Sequence, residues 1–408
     1  MKCRHCNTEL KHTFIDLGIS PPSNAYLTKK ALDKPEASYP LKVMVCDCCW
    51  LVQTEDFVRA DEMFSMDYAY FSSFSTSWLN HAKSYVDSIT SRLNLDESST
   101  VVEIAANDGY LLQYVKNKGI PCYGIEPTHN TAKVARDKGI EIIEDFFNVT
   151  KAEQLVKQGR QADLIVANNV LAHVPDINGF VKGFSILLKV NGVSTFEFPH
   201  LLNLIEKYQF DTIYHEHYSY LSFTTTCAIL KSNGMTVFDV EEIKTHGGSL
   251  RVYAQRSDTG KQPVSKSVSE LQKKENEIGI SSLQFYEGFQ KKAEHIKLEF
   301  LSFLTKTKQS DKKVVGYGAA AKGNTLVNFS GVGPDLLSYV VDKNIEKQGK
   351  YMPGSHIPIV EESRLKLDQP HYVVIFPWNI KHEVMEQLKY IQDWEGKFVT
   401  FIPCKSVI

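Results

Sequence analysis

Titratable and hydrogen-bonding side chains follow one another almost without a break near the middle of the chain. The run reads Asp211-Thr212-Ile213-Tyr214-His215-Glu216-His217-Tyr218-Ser219-Tyr220. Such groups can hydrogen-bond or transfer protons near neutral pH. The His-Glu-His order lacks the i, i+4 helical spacing of metalloprotease ligands, which argues against a catalytic metal. Extended backbone would point Tyr214, Glu216 and Tyr218 one way and His215 and His217 the other. The simpler alternative is an exposed polar loop.

A second polar segment follows a buried strand. Val101-Val102-Glu103-Ile104 is the strand, Ala105-Ala106-Asn107-Asp108-Gly109 is the turn after it, and a helix begins near Tyr110. In an open α/β sheet, ligands bind beyond the carboxyl ends of the strands. The next strand ends at Glu126, where an acidic side chain can bind ribose hydroxyls. This geometry suits both NAD and S-adenosylmethionine.

The glycine pattern decides between these two cofactors. The turn contains no G-x-G-x-x-G, and Asp108 would repel a pyrophosphate but attract an ammonium or sulfonium group. Asp145 and Phe146, after the third strand, can meet the adenine amine and ring. The sequence therefore predicts an S-adenosylmethionine site formed by Glu103, Ala105, Asn107, Asp108, Glu126, Asp145, Phe146 and Asn168. The alternative is an α/β domain with an ordinary polar turn.

Cysteines cluster near the start of the chain. Cys3-x-x-Cys6 and Cys46-x-x-Cys49 form two pairs whose sulfurs can share one ion. Four thiolates are a typical ligand set of a structural zinc site, which has no open coordination position. We therefore predict a structural Zn²⁺ bound by these four cysteines. The loop between the pairs is longer than in common zinc ribbons, Cys48 is a competing ligand, and unliganded buried thiols are the alternative.

The elements that position these groups indicate an α/β protein with three domains. Short apolar strands alternate with helices after a helical stretch from 77 to 93, which predicts a central Rossmann-like domain with a parallel sheet. A second strand, glycine turn and helix at Val314–Asn328 predicts another Rossmann-like α/β domain. Between them, about 260 to 310, the chain is polar and has helical periodicity, typical of a long solvated helix or connector. The predicted domains are 1–72, 73–240 and 241–408.

Composition excludes some classes of function. Among 408 residues the formal net charge is -2, so a binder of nucleic acid polymers is not expected. We see no signal peptide and no apolar stretch of the roughly 20 residues that spans a bilayer. We therefore expect a cytoplasmic protein without a membrane segment, and a monomer.

Together these features resemble the bacterial sugar C-methyltransferases. These S-adenosylmethionine-dependent enzymes add a methyl group to C3 of dTDP- or GDP-linked 4-keto-deoxysugars, and they have an N-terminal zinc-binding domain. The resemblance covers nearly the whole chain. It is carried by the paired cysteines, Pro40–Cys46, Asn107–Gly109, Tyr214–His217, His246-Gly247-Gly248-Ser249-Leu250-Arg251 and Gly316–Gly323.

The resemblance implies catalytic roles for particular residues. A carbon beside a ketone becomes nucleophilic when a base removes its proton and the enolate oxygen is stabilised. His217 would be that base, and Glu216 and Tyr214 would orient it or bind the sugar. His173 and Tyr68 would stabilise the enolate oxygen or relay a proton. The methyl group would arrive on the face opposite the lost proton and invert C3.

The resemblance also implies how the nucleotide-linked keto-deoxysugar binds. Tyr70 would line the same cleft, while His246, Arg251 and Lys322 would hold the nucleotide diphosphate. The glycine turn before Lys322 is a weak dinucleotide fingerprint, and a scaffold-only domain is the alternative there. Two other functions stay open: methyl transfer to oxygen or nitrogen of a small molecule, and a catalytically idle assembly protein whose zinc domain binds a partner.

Overall fold

The computed structural model describes residues 1–57 and 70–408 and is an α/β fold, as predicted. Tyr68 lies outside the described residues. Three sheets form the fold, with four, seven and six strands. No helix in the described ranges is both long and apolar enough to cross a bilayer.

The first sheet is antiparallel and contains a strand from the middle of the chain. Its strands, in spatial order, are His12–Ser20, Tyr39–Val45, Val52–Thr54 and Ser219–Tyr220. The last of these pairs Tyr220 with Val52, so the end of the 211–220 run completes the N-terminal sheet. The N-terminal domain therefore touches the run directly.

The middle sheet is the predicted Rossmann-like one. Its strands, in spatial order, are Met235–Ile243, Ser249–Arg256, Leu188–Pro199, Ala162–Asn168, Val101–Ile104, Cys122–Ile125 and Glu141–Ile143. The pairs among the last five are parallel, and the first two strands are antiparallel additions. The sheet continues to Arg256, so it extends beyond residue 240, where the sequence suggested a boundary.

Helices cover this sheet and place its turns. They are Thr76–Leu93, Leu112–Asn117, His129–Asp137, Val149–Lys157, Ile177–Leu187, Leu201–Glu206 and Phe223–Ser232. The strands leave the sheet at one edge, and the turns that follow Ile104, Ile125 and Asn168 meet there, as parallel topology requires.

The third sheet belongs to the second Rossmann-like unit. Its strands, in spatial order, are Ile359–Val360, Val340–Val341, Val314–Tyr317, Tyr372–Ile375, Lys397–Thr400 and Ser406–Val407, and only the last pair is antiparallel. Helices Ala321–Ser330, Ser363–Asp368 and Lys381–Gln387 accompany it.

The connector is more buried than the sequence suggested. It consists of helices Lys266–Ile278, Leu283–Tyr286 and Phe289–Gln309. The long helix Phe289–Gln309 buries Phe289, Ala293, Ile296, Phe300 and Leu304 along one side. These side chains lie in one apolar cluster with Phe14 of the first sheet, Phe210 and Phe376. The predicted long helix is present, and most of its remaining positions are exposed or half-buried, while the one-sided apolar stripe packs it on the core.

A buried ion pair fastens the connector to the middle domain. His200 Nε2 lies 2.6 Å from Glu275 Oε1, and neither side chain is exposed. The same carboxylate accepts the N–H groups of Phe223 and Thr224 at 2.8 and 2.7 Å, at the start of helix Phe223–Ser232. Removing one partner of such a buried contact strongly destabilises a protein, because the remaining polar group is left without a hydrogen-bond partner.

Replacing Glu275 should therefore destabilise the protein strongly. We expect Glu275→Ala to lower the free energy of unfolding by about 3–5 kcal/mol, because His200 and the helix N–H groups lose their acceptor. The urea midpoint of the full chain measures this. Glu270→Ala is the matched control, since Glu270 is exposed on the same helix. Equal midpoints for the two variants would contradict a stabilising role for the pair.

Candidate active site

The four predicted metal ligands come together. The sulfurs of Cys3, Cys6, Cys46 and Cys49 all lie within 4.8 Å of one another. Two of the distances, Cys3 to Cys49 and Cys6 to Cys46, are 3.5 Å. Sulfurs at about 2.3 Å from a tetrahedral zinc lie about 3.8 Å apart, so the donor set fits Zn²⁺.

Neighbouring groups support these thiolates and exclude the competing ligands. Gln53 Nε2 donates to Cys3 Sγ at 3.2 Å, and the Cys48 amide donates to Cys46 Sγ at 3.4 Å. The Cys48 side chain is exposed. His5 is turned toward Asn178 of the middle domain, 2.8 Å away. Cys3 and Cys46 are buried in the apolar cluster of the middle domain, so the zinc region is attached to that domain through a shared core.

The turn after Val101–Ile104 has an unusual backbone. Ala105, Asn107 and Gly109 have φ angles of 58°, 48° and 74°, in the left-handed region. A Cβ on Gly109 would lie 2.5 Å from Ile140 Cδ1, and the positive φ would strain any larger residue there. Left-handed residues cost energy outside glycine, and such strain concentrates at functional sites.

The side chains of this turn hold the segment before helix Thr76–Leu93. Asn107 Oδ1 accepts the Ser72 amide at 2.9 Å, and Asn107 Nδ2 donates to the Tyr70 carbonyl at 3.2 Å. Asp108 Oδ2 accepts the Ser73 amide at 3.1 Å. The sequence predicted direct cofactor contacts for Asn107 and Asp108, and the structure gives both side chains a protein partner as well. The side chain of Tyr70 is exposed.

Buried acids converge behind the turn. Glu103 and Glu126 are 0% and 4% exposed. Burial raises the pKa of Glu103, and the charges of Asp108 and Glu126 raise it further. Glu126 accepts the amides of Asn107 and Thr128, each at 2.9 Å. Burial also raises the pKa of Glu126.

These acids fit a cationic ligand. Asp108 Oδ1 is buried without a hydrogen-bond partner in the described part of the chain, and the buried Glu103 and Asn168 side chains share the Tyr110 hydroxyl as a neighbour. Buried polar atoms normally have partners, so a bound group is expected here. The ammonium and sulfonium of S-adenosylmethionine would offset the mutual repulsion of these carboxylates, whereas a pyrophosphate would add to it.

Asp145 and Phe146 lie at the outer rim of the same edge. Phe146 is an exposed aromatic ring, and Asp145 pairs with Lys151 at 2.6 Å. An exposed ring beside the cofactor turn is suited to stack on a planar base. Their predicted contact with adenine stays a prediction.

His217 is buried in a group of aromatic rings and has a defined tautomer. Its ring centroid lies 4.0 Å from that of Tyr214 and 4.6 Å from that of His173. Its Nδ1 lies 2.9 Å from the Thr212 carbonyl oxygen. Because a carbonyl oxygen only accepts, Nδ1 carries the hydrogen and Nε2 keeps its lone pair. Burial, and then the nearby His173, hold the pKa of His217 well below its usual range, so the ring is neutral at pH 7.

The rest of the run does not alternate as extended backbone would. Tyr214 lies against His217 instead of pointing away from it, because the segment turns and the Tyr214 carbonyl accepts the His217 amide. His215 is directed to the N-terminal domain, where its Nε2 lies 3.2 Å from the Pro40 carbonyl. Glu216 accepts Asn24 Nδ2 at 3.1 Å. The acceptor at His217 Nδ1 is therefore the Thr212 carbonyl, and the expectation that Glu216 orients His217 or binds the sugar stays a prediction.

His246 lies near Asn169, which follows strand Ala162–Asn168, and near the ring of Trp78. Its backbone is left-handed (φ 51°), and Nε2 lies 3.2 Å from Asn169 Nδ2. Its ring is 5.1 Å from that of Trp78. Burial, and then the charge of Lys322, lower the pKa of His246 to about 4.

Arg251 is taken up by protein carboxylates. Its guanidinium lies 3.1 Å from Glu197 and 3.1 Å from Glu241, over the ring of Tyr85. His81 bonds the other oxygen of Glu197 at 2.6 Å. With its charge paired on strands of the middle sheet, Arg251 is a cross-link within that sheet. The structure does not support its predicted contact with the diphosphate.

Lys322 faces the run from the third domain. Nζ donates to Asn379 Oδ1 at 2.8 Å and lies 4.5 Å from the Trp378 ring centre. Burial lowers the pKa of Lys322 to about 8, and the charge of Asp211 opposes that change. The Lys322 ammonium therefore lies close enough to Asp211 and His217 to interact electrostatically with both.

The crevice of the third domain is filled by the protein itself. The Ala319 carbonyl in its glycine turn accepts Tyr26 OH at 2.5 Å and Lys347 Nζ at 2.9 Å. Asp342, in the position that would bind a ribose, lies 3.8 Å from Lys347. Tyr26 comes from the N-terminal domain. The glycine turn that gave the weak dinucleotide fingerprint is therefore bonded by Tyr26 and Lys347 of the protein itself.

Comparison with known proteins adds to this geometry. Three protein families match consecutive parts of the chain: a zinc binding domain at residues 3–64, a methyltransferase domain at 78–240 and a C-methyltransferase C-terminal domain at 244–403. The C-methyltransferase NovU of Streptomyces niveus is 31% identical over 407 residues, which cover 100% of this chain and 96% of that protein. The chain belongs to the C-methyltransferase family.

This C-methyltransferase depends on S-adenosylmethionine and carries a zinc site. The ubiquinone biosynthesis O-methyltransferase of Bordetella avium is 28% identical over 94 residues, 22% of the chain and 39% of that protein. Among solved structures, magnesium protoporphyrin IX methyltransferase of Synechocystis aligns with 44% of the chain and 81% of its own, at 16% identity and a TM-score of 0.33. A methyltransferase from Clostridium acetobutylicum covers 44% and 92%, at 13% identity and a TM-score of 0.35.

Some functional groups of the methyltransferase were not predicted. The Thr212 carbonyl is a backbone group, which no sequence pattern marks. Asp211 was part of the polar run, but its partner Trp378 lies 167 residues away. Asn24 was invisible for the same reason, since it reaches Glu216 from another domain.

Zinc binding can be tested with a matched pair of cysteine variants. We expect one zinc per chain in the wild type and in Cys48→Ser, because Cys48 is exposed and outside the ligand set. Cys46→Ser should lose the metal and unfold at lower temperature, since zinc binding contributes to folding. Elemental analysis and thermal melting of purified protein measure both. Zinc retained by Cys46→Ser, or lost by Cys48→Ser, would contradict this ligand set.

Proposed function

We propose that this S-adenosylmethionine-dependent C-methyltransferase methylates C3 of a nucleotide-linked 4-keto-6-deoxysugar. The observation that carries the proposal is the buried, neutral His217, whose Nδ1–H is held by the Thr212 carbonyl and whose ring packs against His173, just after strand Ala162–Asn168. Methylation at carbon needs a base, because a C–H bond must first be broken. A protein that serves only as a scaffold needs no such base. The family resemblance supplies the sugar and the position C3.

His217 acts as the base in this proposal. Nε2 takes the C3 proton, and the electron pair moves to the 4-oxygen, which becomes an enolate. The Thr212 carbonyl holds Nδ1–H, so the ring presents one nitrogen only. S-adenosylmethionine supplies the electrophilic methyl group when bound. C3 would take the methyl group as its bond to sulfur breaks, which restores the 4-ketone, releases S-adenosylhomocysteine and leaves an imidazolium at His217.

Neighbouring groups stabilise the enolate. His173 lies edge to face with His217 at 4.6 Å. Burial lowers the pKa of His173 to about 4, opposed by a hydrogen bond to the Glu216 backbone, so its ring is neutral and would stabilise the enolate by turning its single N–H from that backbone group to the oxygen. Donors aimed at a developing oxyanion are the strongest contribution to such reactions. The Tyr214 ring lies against the His217 ring. Tyr68, which is outside the described residues, is proposed to stabilise the same enolate oxygen.

Lys322 and His246 bind the nucleotide diphosphate in this proposal. The positive charge of Lys322 lowers the pKa of both His217 and His246, so this cation lies near both rings. Lys322 lies at the start of helix Ala321–Ser330, where a cation and the first backbone N–H groups are both suited to bind a phosphate oxygen. The sugar then extends from the third domain toward His217.

The position and rate of methylation test the proposal. We expect the full-length enzyme to methylate a dTDP- or GDP-linked 4-keto-6-deoxysugar at C3, located by NMR of the product. His217→Asn should be slower by at least about 100-fold, since a general base contributes about that much or more. His215→Asn is the matched control and should keep most of the rate once folding is verified. A methyl group found on oxygen or nitrogen, or an active His217→Asn enzyme, would refute the proposal.

The pH dependence of kcat/KM follows from the two shifted groups. His217 protonates only as pH falls through its lowered pKa, so the acid limb should lie below pH ~6.5. Lys322, which faces Asp211, His217 and His246, loses its charge as pH rises through about 8. The alkaline limb should therefore lie near that value, and Lys322→Arg should move it upward because arginine stays charged. Exposed Lys291→Arg is the control. An alkaline limb unchanged in Lys322→Arg would exclude Lys322 from substrate binding.

A further inference from the structure

A hydrogen bond joins the third domain to the segment just before the base. Trp378 Nε1–H donates to Asp211 Oδ2 at 2.7 Å. Asp211 is 2% exposed and lies in the 3₁₀ turn Phe210–Thr212. Trp378 begins the 3₁₀ turn Trp378–Ile380, which follows a strand of the third sheet. Burial raises the pKa of Asp211 to about 7, so the indole N–H meets a charged acceptor only above that pH.

A second bond from the third domain holds the other side of the same turn. Thr325 Oγ1 donates to the Ile213 carbonyl at 2.8 Å. Asp211 and Ile213 flank Thr212, whose carbonyl accepts Nδ1–H of His217. The turn itself is closed by the Thr212 and Ile213 amides, which bond Gln209 and Phe210. Its carbonyl direction is therefore set by anchors on both sides.

Trp378 also contacts the loop that carries His246. A Cβ on Gly247 would lie 2.5 Å from the indole ring, so the ring and this loop are in close contact. The same ring lies under Lys322. One indole thus touches the base's turn, the His246 loop and the lysine of the third domain.

We propose that Asp211 and Trp378 are a positioning pair, which transmits the docking of the third domain to the Thr212 carbonyl and so fixes the tautomer and orientation of His217. The inference rests on the proposed function for its effect on catalysis. Without the pair, the Thr212 carbonyl can turn, and His217 can carry its hydrogen on either nitrogen. A base with the wrong tautomer cannot accept the proton, and misplacement of reacting groups by about 1 Å can cost 100-fold in rate.

The tautomer of His217 is the first readout. Full-length protein labelled with ¹⁵N-histidine gives the nitrogen shifts, and the His217 signals are those missing in His217→Asn. We expect a single Nδ1–H tautomer in the wild type and a mixture in Trp378→Phe, which keeps the ring but removes the N–H. Trp394→Phe is the matched control, because Trp394 Nε1 donates to Pro370 within the third domain, away from the run.

Kinetics are the second readout. Trp378→Phe should lower kcat about 10- to 100-fold and leave KM for S-adenosylmethionine unchanged, since the cofactor turn does not contact Trp378. Asp211→Asn keeps an acceptor oxygen for the indole N–H and should keep the single His217 tautomer. Thr325→Val removes the second anchor without changing side-chain size, and it should also mix the tautomers. This variant tests the inference even if Trp378→Phe does not fold.

A His217 tautomer that stays single in both Trp378→Phe and Thr325→Val, with wild-type kcat, would overturn the inference. Failure of the proposed function has a different signature: His217→Asn would then keep its activity, whatever the tautomer does. A shared loss of melting temperature with an unchanged tautomer would make the pair a structural contact only, which also overturns the inference.

Discussion

The hydrogen bond from His217 Nδ1 to the Thr212 carbonyl, 2.9 Å long, decides which nitrogen of the ring can accept a proton. Every domain contributes to the backbone that makes this bond. Thr54 of the first domain donates to the His217 carbonyl at 3.1 Å, and Thr325 of the third donates to the Ile213 carbonyl. One apolar cluster contains side chains from all three domains around the 201–213 segment. The run is thus buried at a junction, and its geometry requires the whole chain.

The turn after strand Val101–Ile104 brings several acidic side chains together. Glu103, Asp108 and Glu126 are buried close enough that the charges of the other two raise the pKa of Glu103. Such a group of acids is unfavourable unless a cation is bound beside it. The same turn fixes the segment 70–73 through Asn107 and Asp108. Its side chains therefore tie the segment 70–73 to the turn that is predicted to bind the positive end of the cofactor.

Periodicity and local motifs were sufficient for much of the fold. The strands around Glu103, Glu126 and Asn168 and the paired cysteines all lie within short sequence windows, so pattern and spacing predict them. Contacts between distant residues could not be predicted. Arg251 pairs with Glu197 across two strands, and Trp378 reaches Asp211 from another domain. The alternation expected for Tyr214 and His217 failed because a buried turn replaces extended backbone, a tertiary effect that no local pattern carries.

Proton exchange at C3 tests the central claim most directly. The full-length enzyme is incubated in D₂O with a dTDP- or GDP-linked 4-keto-6-deoxysugar and S-adenosylhomocysteine, so that no methyl group can be transferred. The account predicts deuterium at C3 with the wild type and none above background with His217→Asn, because Nε2 of that ring removes the proton. Equal incorporation with both proteins, or incorporation at another carbon only, would contradict it.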